Sequence, residues 1–234
     1  MVAAFLLPAA IKKPPPVFSK ISTRIPNIRR WPARLVSIAR QCKFLDSKKD
    51  YAVSEIKNIA VIVGSLRKNS INRKVARTLV DIAPASLKLE IIEIGDLPLY
   101  NQDFDADSPA SYIEFRKKIL SADGVLFVTP EHNRSMPAAM KNAIDIGSRP
   151  PSKSVWNAKP GAVISASPSL QGGFGANHHL RQSLMCLNVY CMANPETYLS
   201  QADKLFDSTG EVSEIGRGFI AKFINAYAEW IKNW

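Results

Sequence analysis

The sequence predicts an α/β fold in which a five-stranded parallel sheet is covered by helices on both faces. From residue 58 onward, short apolar runs alternate with longer segments whose apolar residues recur at helical spacing. The apolar runs are continuous rather than alternating, which is typical of strands buried on both faces of a parallel sheet. The segments between the runs are long enough for right-handed helical crossovers.

The predicted strands and helices follow one another in a regular order. The first strand, 59–63, leads into a helix over 71–83 whose apolar stripe would face the sheet. The same patterns predict strands at 89–94, 124–129, 161–166 and 188–193, and helices at 110–121, 136–147, 174–187 and 214–232. Ligands of such sheets bind at the carboxyl ends of the strands. The loops after the first, third and fourth strands therefore form the candidate site.

The chain divides into an N-terminal extension and one domain. A formal net charge of +11 over 234 residues first suggests a nucleic-acid partner. However, nine of the 31 Lys and Arg residues lie within 1–45, where there is no Asp or Glu, so 22 basic residues face 20 acidic ones in the rest. Any affinity for polyanions would belong to this segment. We predict a basic, proline-containing and disordered extension over 1–57, a domain over 58–234, and no nucleic-acid partner.

The first 45 residues and the cysteines bear on location. The apolar run 2–11 precedes the charges instead of following them and is too short to span a bilayer, which excludes a secretory signal and a membrane span. Cysteines at 42, 186 and 191 indicate neither a disulfide framework nor a zinc site and fit a reducing compartment. The sequence predicts a cytoplasmic protein. The alternative is a mitochondrial or plastid protein, if the extension is a transit peptide rather than a functional tail or a misassigned start.

The first loop, residues 64–72, has the composition of a phosphate site. It opens the first helix, where free backbone N–H groups and the positive end of the helix dipole favour an anion. Side-chain donors accompany them at Ser65, Arg67, Ser70 and Asn72. The loop has one glycine, no Gly-Lys-Ser/Thr ending and no cysteine, which excludes a dinucleotide fingerprint, a P-loop and a cysteine phosphatase. We expect it to hold a phosphate without cleaving it, with an ordinary polar turn as the alternative.

The second loop, residues 129–137, reads Thr-Pro-Glu-His-Asn-Arg-Ser-Met-Pro. The prolines at both ends would stiffen a short backbone whose N–H groups turn outward beside a flat ligand. Glu131, Asn133 and Ser135 would be fixed parts of that site, and the alternative is that Glu131 and Ser135 cap the following helix. His132 has no partner at metal-ligand spacing, so we expect a stacking or surface residue.

The third loop, residues 165–175, contains Gly172 and Gly173. Glycines permit backbone conformations that other residues resist and allow close approach to a planar ring, although a simple flexible loop would have a similar sequence. His178 and His179 follow in the next helix, where adjacent side chains point about 100° apart, so we expect no shared metal. The acidic segment 103–107 lacks the glycine and glutamate of a calcium loop. The sequence thus predicts no metal site.

Together the three loops resemble the NADPH-dependent FMN reductases, and most closely the bacterial chromate and quinone reductase branch of that family. The resemblance covers about residues 58–232. It is carried by Gly64-Ser-Leu-Arg67 with Ser70 and Asn72, Thr129-Pro-Glu131 with Asn133, Ser135 and Pro137, Lys141-Asn-Ala-Ile-Asp145, Lys159-Pro160, Gly172-Gly173, His179-Leu-Arg-Gln182 and Glu196.

The resemblance implies a flavodoxin-like three-layer sandwich with strand order 2-1-3-4-5 and non-covalently bound FMN. It places the FMN phosphate on the first loop, at Ser65, Arg67, Ser70 and Asn72. The ring and ribityl chain would contact Pro130, Glu131, His132, Asn133 and Ser135, and the far side would contact Ser167 and Gly173.

The resemblance also implies a homodimer, or a tetramer built from dimers. The chromate reductase branch has an arginine and a tyrosine in the tetramer contact, where this chain has Gly175 and His178. A dimer is therefore the firmer expectation.

The implied activity is a ping-pong reaction. NADPH or NADH would give hydride to FMN and leave, and a quinone, chromate or similar small-molecule acceptor would then take two electrons. Because the flavin carries the chemistry, no catalytic side chain is expected. Arg134, and also Arg67, would attract the extra phosphate of NADPH or be solvated. The alternative function is an FMN-binding electron carrier or redox sensor without nicotinamide turnover, and a slightly basic domain counts against a carrier that docks on basic partners.

Overall fold

The computed structural model describes residues 56–234, so the predictions for 1–55 lie outside the described residues. The described part contains a sheet and five α-helices, with short 3₁₀ turns at 102–104, 202–205 and 231–233. The elements are β1 (Lys57–Val63), α1 (Ile71–Ile82), β2 (Leu87–Ile92), α2 (Ala110–Ser121), β3 (Gly124–Thr129), α3 (Ala138–Gly147), β4 (Pro160–Ala166), α4 (Phe174–Cys186), β5 (Tyr190–Cys191), β6 (Thr197–Leu199) and α5 (Glu214–Trp230).

All strand pairs in the sheet are parallel, and the order β2-β1-β3-β4-β5 confirms the predicted topology. Ile59 in β1 pairs with Leu89 in β2 and with Gly124 in β3, so β1 lies between these two strands. β3 in turn pairs with β4. The carboxyl ends of β1, β3 and β4 are therefore neighbours, and the first, second and third loops follow them.

The fifth position of the sheet differs from the prediction. The sequence predicts one strand over 188–193, but the structure divides this position in two. β5 pairs with the start of β4, and β6 pairs with its end, where Leu199 lies opposite Ala166. Pro195 lies between them and has no N–H group to donate to a ladder, which accounts for the interruption. β6 thus extends the sheet edge toward the third loop.

Two apolar cores lie on opposite faces of the sheet, because alternate residues of each strand point to opposite sides. α1 and α5 cover one face, and α2, α3 and α4 cover the other, which gives the three layers of the predicted sandwich. Trp156, between α3 and β4, is the largest fully buried side chain among residues 56–234. Its indole Nε1 donates to the carbonyl oxygen of Ile144 at 2.8 Å.

The predicted helices are confirmed, with small shifts at their ends. α3 begins at Ala138 because Pro137 precedes it, and α5 ends at Trp230 where a 3₁₀ turn takes over. Lys159 caps the C-terminal end of α2, because its Nζ donates to the carbonyl oxygen of Ala122 at 2.6 Å. Burial lowers the pKa of this amine. No helix within residues 56–234 is long and apolar enough to cross a membrane.

Candidate functional site

The three loops meet at the carboxyl edge of the sheet. The backbone N–H of Gly64 donates to the carbonyl oxygen of Val128 at 2.9 Å, which carries the pairing of β1 and β3 into the first loop. A Cβ atom placed on Gly64 would lie 3.2 Å from Cε of Met140 and 3.3 Å from the rings of Pro130 and Pro137. The first loop therefore packs directly against the second loop, with room for little more than a glycine at position 64.

Ser65 and Arg67 are two unengaged donors of the first loop. Ser65 is only 7% exposed, yet its hydroxyl makes no hydrogen bond to any other residue that the structure describes. Arg67 is exposed and forms no ion pair within residues 56–234. Both residues precede the N-terminus of α1, where the backbone N–H groups and the helix dipole favour an anion. These two side chains are therefore available to a bound phosphate.

Ser70 and Asn72 have structural contacts that the sequence did not reveal. Ser70 caps α1, because its Oγ accepts from the backbone N–H of Arg73 at 3.1 Å, and its own hydroxyl proton remains available. Asn72 is 3% exposed, and its Nδ2 donates to the carbonyl oxygen of Ala166 at 3.0 Å. The Asn72 Oδ1 is buried and has no partner among the described residues. Asn72 thus links the first loop to the end of β4 and leaves an acceptor for a bound hydroxyl or amide.

The second loop is a tight hairpin turn. His132 and Ser135 exchange two backbone hydrogen bonds of 2.9 Å, and Asn133 and Arg134 at the tip have φ angles of 49° and 66°. The expectation of outward-facing N–H groups is therefore wrong for His132 and Ser135, because their N–H groups are hydrogen-bonded within the turn. The side chains of His132, Asn133 and Arg134 are exposed at the rim.

Glu131 does not cap the following helix, which was the alternative to a part in the site, but contacts another helix. α3 begins without a side-chain cap from any described residue. Instead, Oε2 of Glu131 accepts from the backbone N–H of Ala176 in α4, and Oε1 accepts from the guanidinium of Arg134, both at 3.1 Å. Ser135 Oγ likewise lies 3.1 Å from His179 Nδ1. The second loop is thus tied to α4.

The third loop owes its shape to two glycines. Gly172 and Gly173 have φ angles of 60° and 81°, in the left-handed region. A Cβ atom on Gly172 would lie 2.9 Å from the carbonyl carbon of Tyr198, and one on Gly173 would lie 3.0 Å from Cβ of Ser165. Conformation and contact together require glycine at both positions. Ser167 is half-buried, and its backbone N–H donates to the last residue of β6 at 3.1 Å.

His178 and His179 have different neighbours, although they are adjacent in sequence. His178 Nε2 lies 3.0 Å from the hydroxyl of Tyr198, and its ring packs on Phe174 with centroids 4.2 Å apart. Burial, together with Glu196, raises the pKa of Tyr198 to about 12. His179 faces the second loop instead. Within the described range, no three His, Cys, Asp or Glu residues are grouped so that they would hold a metal.

Two polar side chains, Asn142 and Arg181, hold segments near the site, and the sequence predicted no role for either. Asn142 in α3 accepts from the backbone N–H of Tyr100 at 2.8 Å and so holds the segment after β2. Arg181 in α4 donates to Oδ1 of Asn177 and to the carbonyl oxygen of Met192, both at 2.9 Å. Both residues lie in the short motifs at 141–145 and 179–182, whose role had no local explanation.

The geometry fits a ligand with a phosphate at one end and hydroxyl groups next to it. The first loop offers the Ser65 hydroxyl, the Arg67 guanidinium and the N-terminus of α1 to the phosphate. The buried Oδ1 of Asn72 requires a donor, which the hydroxyls of a sugar or ribityl chain would supply. Gly172 and Gly173 are buried, and the positions of their missing side chains are filled by Tyr198 and Ser165, so these glycines shape the third loop beside the site. These residues fit FMN as the resemblance implies.

The chain is similar to proteins of known function. The model of the NADPH-dependent FMN reductase family matches residues 57–204. A quinone reductase of Pseudomonas putida is 54% identical over 181 residues, which cover 77% of this chain and 97% of that protein. A 2-hydroxy-1,4-benzoquinone reductase of Burkholderia sp is 43% identical over 176 residues, covering 75% and 96%. The structure of FerB, a flavoenzyme NAD(P)H:(acceptor) oxidoreductase of Paracoccus denitrificans, has a TM-score of 0.72 at 38% identity and covers 76% of this chain and 98% of that one.

Proposed function

We propose that this chain, which belongs to the NADPH-dependent FMN reductase family, is a quinone reductase. It would use FMN and take its electrons from NADPH or NADH. The observation that carries the proposal is the pair Ser65 and Arg67, two free donors before α1 at the edge where all three loops meet. A quinone is the proposed acceptor because two relatives more than 40% identical, from Pseudomonas putida and Burkholderia sp, are named for quinones.

The three loops would divide the cofactor among them. The first loop would bind the phosphate, the second would border the ring and the ribityl chain, and the third would border the far side. The residues are Ser65, Arg67 and Ser70 for the phosphate, Asn72 for a hydroxyl of the ribityl chain, Pro130, His132, Asn133 and Ser135 in the second loop, and Ser167 and Gly173 in the third.

When bound, FMN supplies the redox chemistry by accepting hydride from the nicotinamide and passing two electrons to the acceptor. The chain contributes binding and orientation. The Ser65 hydroxyl would donate a hydrogen bond to the phosphate and the Arg67 guanidinium would offset its charge, while the exposed rim of the second loop leaves one side of the site open. The nicotinamide and the acceptor would use this open side in turn, which is a ping-pong order. Chromate would need nothing beyond the same open side, and its reduction rests on the resemblance alone.

The visible absorption spectrum of the purified full chain tests the proposal. The chain should take up FMN, and anaerobic addition of NADPH should bleach the flavin within the mixing time. A benzoquinone added next should restore the oxidised spectrum, and initial rates should give the parallel double-reciprocal lines of ping-pong kinetics. A flavin that stays oxidised would indicate an electron carrier or sensor. A chain unable to bind added FMN would contradict the proposed site.

Arg134 is the proposed contact for the extra phosphate of NADPH. Its side chain is 71% exposed at the tip of the second loop, with Glu131 as its ion-pair partner at 3.1 Å. An Arg134→Asn variant should lower kcat/KM for NADPH about two- to tenfold, as expected for one exposed charged contact, and leave that for NADH within about twofold. Asparagine is chosen because it tolerates the φ angle of 66° at this position. An unchanged ratio between the two nucleotides would remove the assignment.

We also propose a homodimer that uses the groove between α3 and α4. Outside the lining of this groove, Met185 in α4 is 71% exposed and Phe174, at its start, is 51% exposed, so a second copy that reaches beyond the groove would cover apolar surface. The chromate reductase branch has an arginine in its tetramer contact where this chain has Gly175. A Cβ atom on Gly175 would lie 2.8 Å from the carbonyl oxygen of Arg134, so an arginine side chain does not fit there, and we propose a dimer and not that tetramer. The groove is lined by Ser135, Met136, Lys141, Ile144, Asp145, His179, Gln182, Ser183, Cys186 and Leu187.

A further inference from the structure

α4 starts without a capping side chain of its own. Its N-cap is Gly173, and there is no acidic residue in its first turn. The first backbone N–H groups of a helix have no partner within the helix and need an acceptor from elsewhere. For Ala176 that acceptor is the Glu131 carboxylate, which lies 45 positions away in the second loop and accepts its N–H at 3.1 Å. Glu131 also places a negative charge at the positive end of the α4 dipole.

Both oxygens of the Glu131 carboxylate are used by the protein itself. Oε2 accepts from Ala176 and Oε1 from Arg134, and the Glu131 side chain is only 9% exposed. A carboxylate held in this way has little surface left for a ligand. Arg134 is 71% exposed, so the ion pair lies at the rim, whereas the bond to α4 lies on the inner side.

The close approach of the second loop to α4 depends on a missing side chain. A Cβ atom placed on Gly175 would lie 2.8 Å from the carbonyl oxygen of Arg134 and 3.0 Å from Oε2 of Glu131. Alanine at 175 would therefore force the loop away from the helix, although alanine is the better helix former. One turn further along, Ser135 Oγ and His179 Nδ1 form a second link at 3.1 Å.

We infer that Glu131 is a positioning residue that fixes the second loop on the first turn of α4, and that Gly175 makes this contact possible. The third loop ends where α4 begins, so this contact sets the spacing between the second and third loops. Glu131 therefore acts on the flavin through loop geometry and not as a direct ligand. The effect on FMN binding rests on the proposed function, whereas the contact itself is a property of the FMN-free chain.

Four variants separate the possible roles. Glu131→Ala removes the acceptor, and Glu131→Gln keeps an oxygen that can accept from Ala176. Gly175→Ala separates the loop from the helix with the carboxylate intact. Arg134→Asn removes the ion pair and leaves the bond from Ala176 to Glu131 in place, and both measurements are made without NADPH. Two quantities are measured: the hydrogen-exchange rate of the Ala176 amide in the FMN-free full chain, by NMR, and the Kd for FMN, by fluorescence titration.

Glu131→Ala should accelerate exchange at Ala176 about tenfold or more and raise the Kd for FMN about 10- to 100-fold, as expected for loss of a hydrogen bond to a charged group. Gly175→Ala should change both quantities in the same direction. Glu131→Gln should recover part of both losses. Arg134→Asn, the matched control, should leave exchange at Ala176 and the Kd for FMN within about threefold.

A rise in Kd for Glu131→Ala with unchanged exchange at Ala176 would overturn the inference, because Glu131 would then contact FMN directly. Unchanged values of both quantities would overturn it as well. If Glu131→Ala does not fold, the comparison of Glu131→Gln and Gly175→Ala with Arg134→Asn decides the question. A wild-type chain that does not bind FMN would defeat the proposed function, while the exchange rates would still test the contact.

Discussion

A chain that carries Ser65→Ala and Arg67→Ala together is expected to lose about 100-fold or more of its affinity for FMN. Neither side chain has a partner in the described part of the protein, so both are free for the phosphate. A hydrogen bond to a charged group contributes about 1.5–3 kcal/mol. Two such bonds correspond to about two to four orders of magnitude in Kd. Fluorescence titration of the FMN-free chain with FMN measures the loss.

Lys68→Ala is the matched control, because Lys68 carries the same charge in the same loop and is exposed. We expect it to weaken FMN binding less than threefold, since an exposed lysine offers a weakly directed charge. An equal loss in the control would mean that the loop attracts anions by net charge alone. The free energy of unfolding of the double variant, measured in urea without FMN, should stay within about 0.5 kcal/mol of the wild type. A normal Kd in the double variant would contradict the phosphate site.

The sequence predicted the central strands well because their signals are local. β3 and β4 are buried at every position and β1 is buried from Ile59 onward, and all three consist mainly of apolar residues. α1 has one apolar stripe and a serine cap, so its ends were predicted within one residue. Strand order followed from the family resemblance and not from these patterns.

The sheet edges were predicted less well because a strand at an edge lacks such a pattern. β2 has one neighbour, exposes alternate positions and begins at Leu87, two residues before the predicted start. β6 has three residues and pairs only with the end of β4. No local pattern distinguishes such a segment from a loop, since tertiary pairing alone makes it a strand.

The residues of the candidate site were found from sequence more readily than their roles. Ser65 and Ser70 have the same hydroxyl in the same loop, but Ser70 caps α1 while Ser65 is unengaged. Glu131 meets its partner Ala176 across 45 positions of sequence. Such contacts depend on how strands β3 and β4 align, and a single sequence does not contain that register.

The second large effect is expected in stability: Trp156→Ala should lower the free energy of unfolding by about 3–5 kcal/mol. The Trp156 indole is fully buried, packs near Phe127 with ring centroids 5.8 Å apart, and lies so close to Gly147 that a Cβ atom there would be 2.5 Å from it. Urea unfolding of the FMN-free chain measures the change.

Packing should account for most of this loss, and not the hydrogen bond from the indole. The carbonyl oxygen of Ile144, which accepts from Nε1 at 2.8 Å, also accepts from the backbone N–H of Ser148 at 3.0 Å and stays satisfied without Trp156. Trp156→Phe should therefore destabilise by only about 1–2 kcal/mol. A phenylalanine variant as unstable as the alanine variant would show that the hydrogen bond dominates.

The effects on stability and on FMN binding should be separable, because Trp156 lies before the start of β4 and the three loops lie at the opposite edge of the sheet. FMN that binds only the folded chain adds RT ln(1 + [FMN]/Kd) to the free energy of unfolding. That increment should be the same in the wild type and in Trp156→Phe. In the Ser65→Ala, Arg67→Ala chain it should nearly vanish, although stability without FMN is unchanged. A reduced increment in Trp156→Phe would mean that the packing of α3 reaches the site, since α3 begins directly after the second loop.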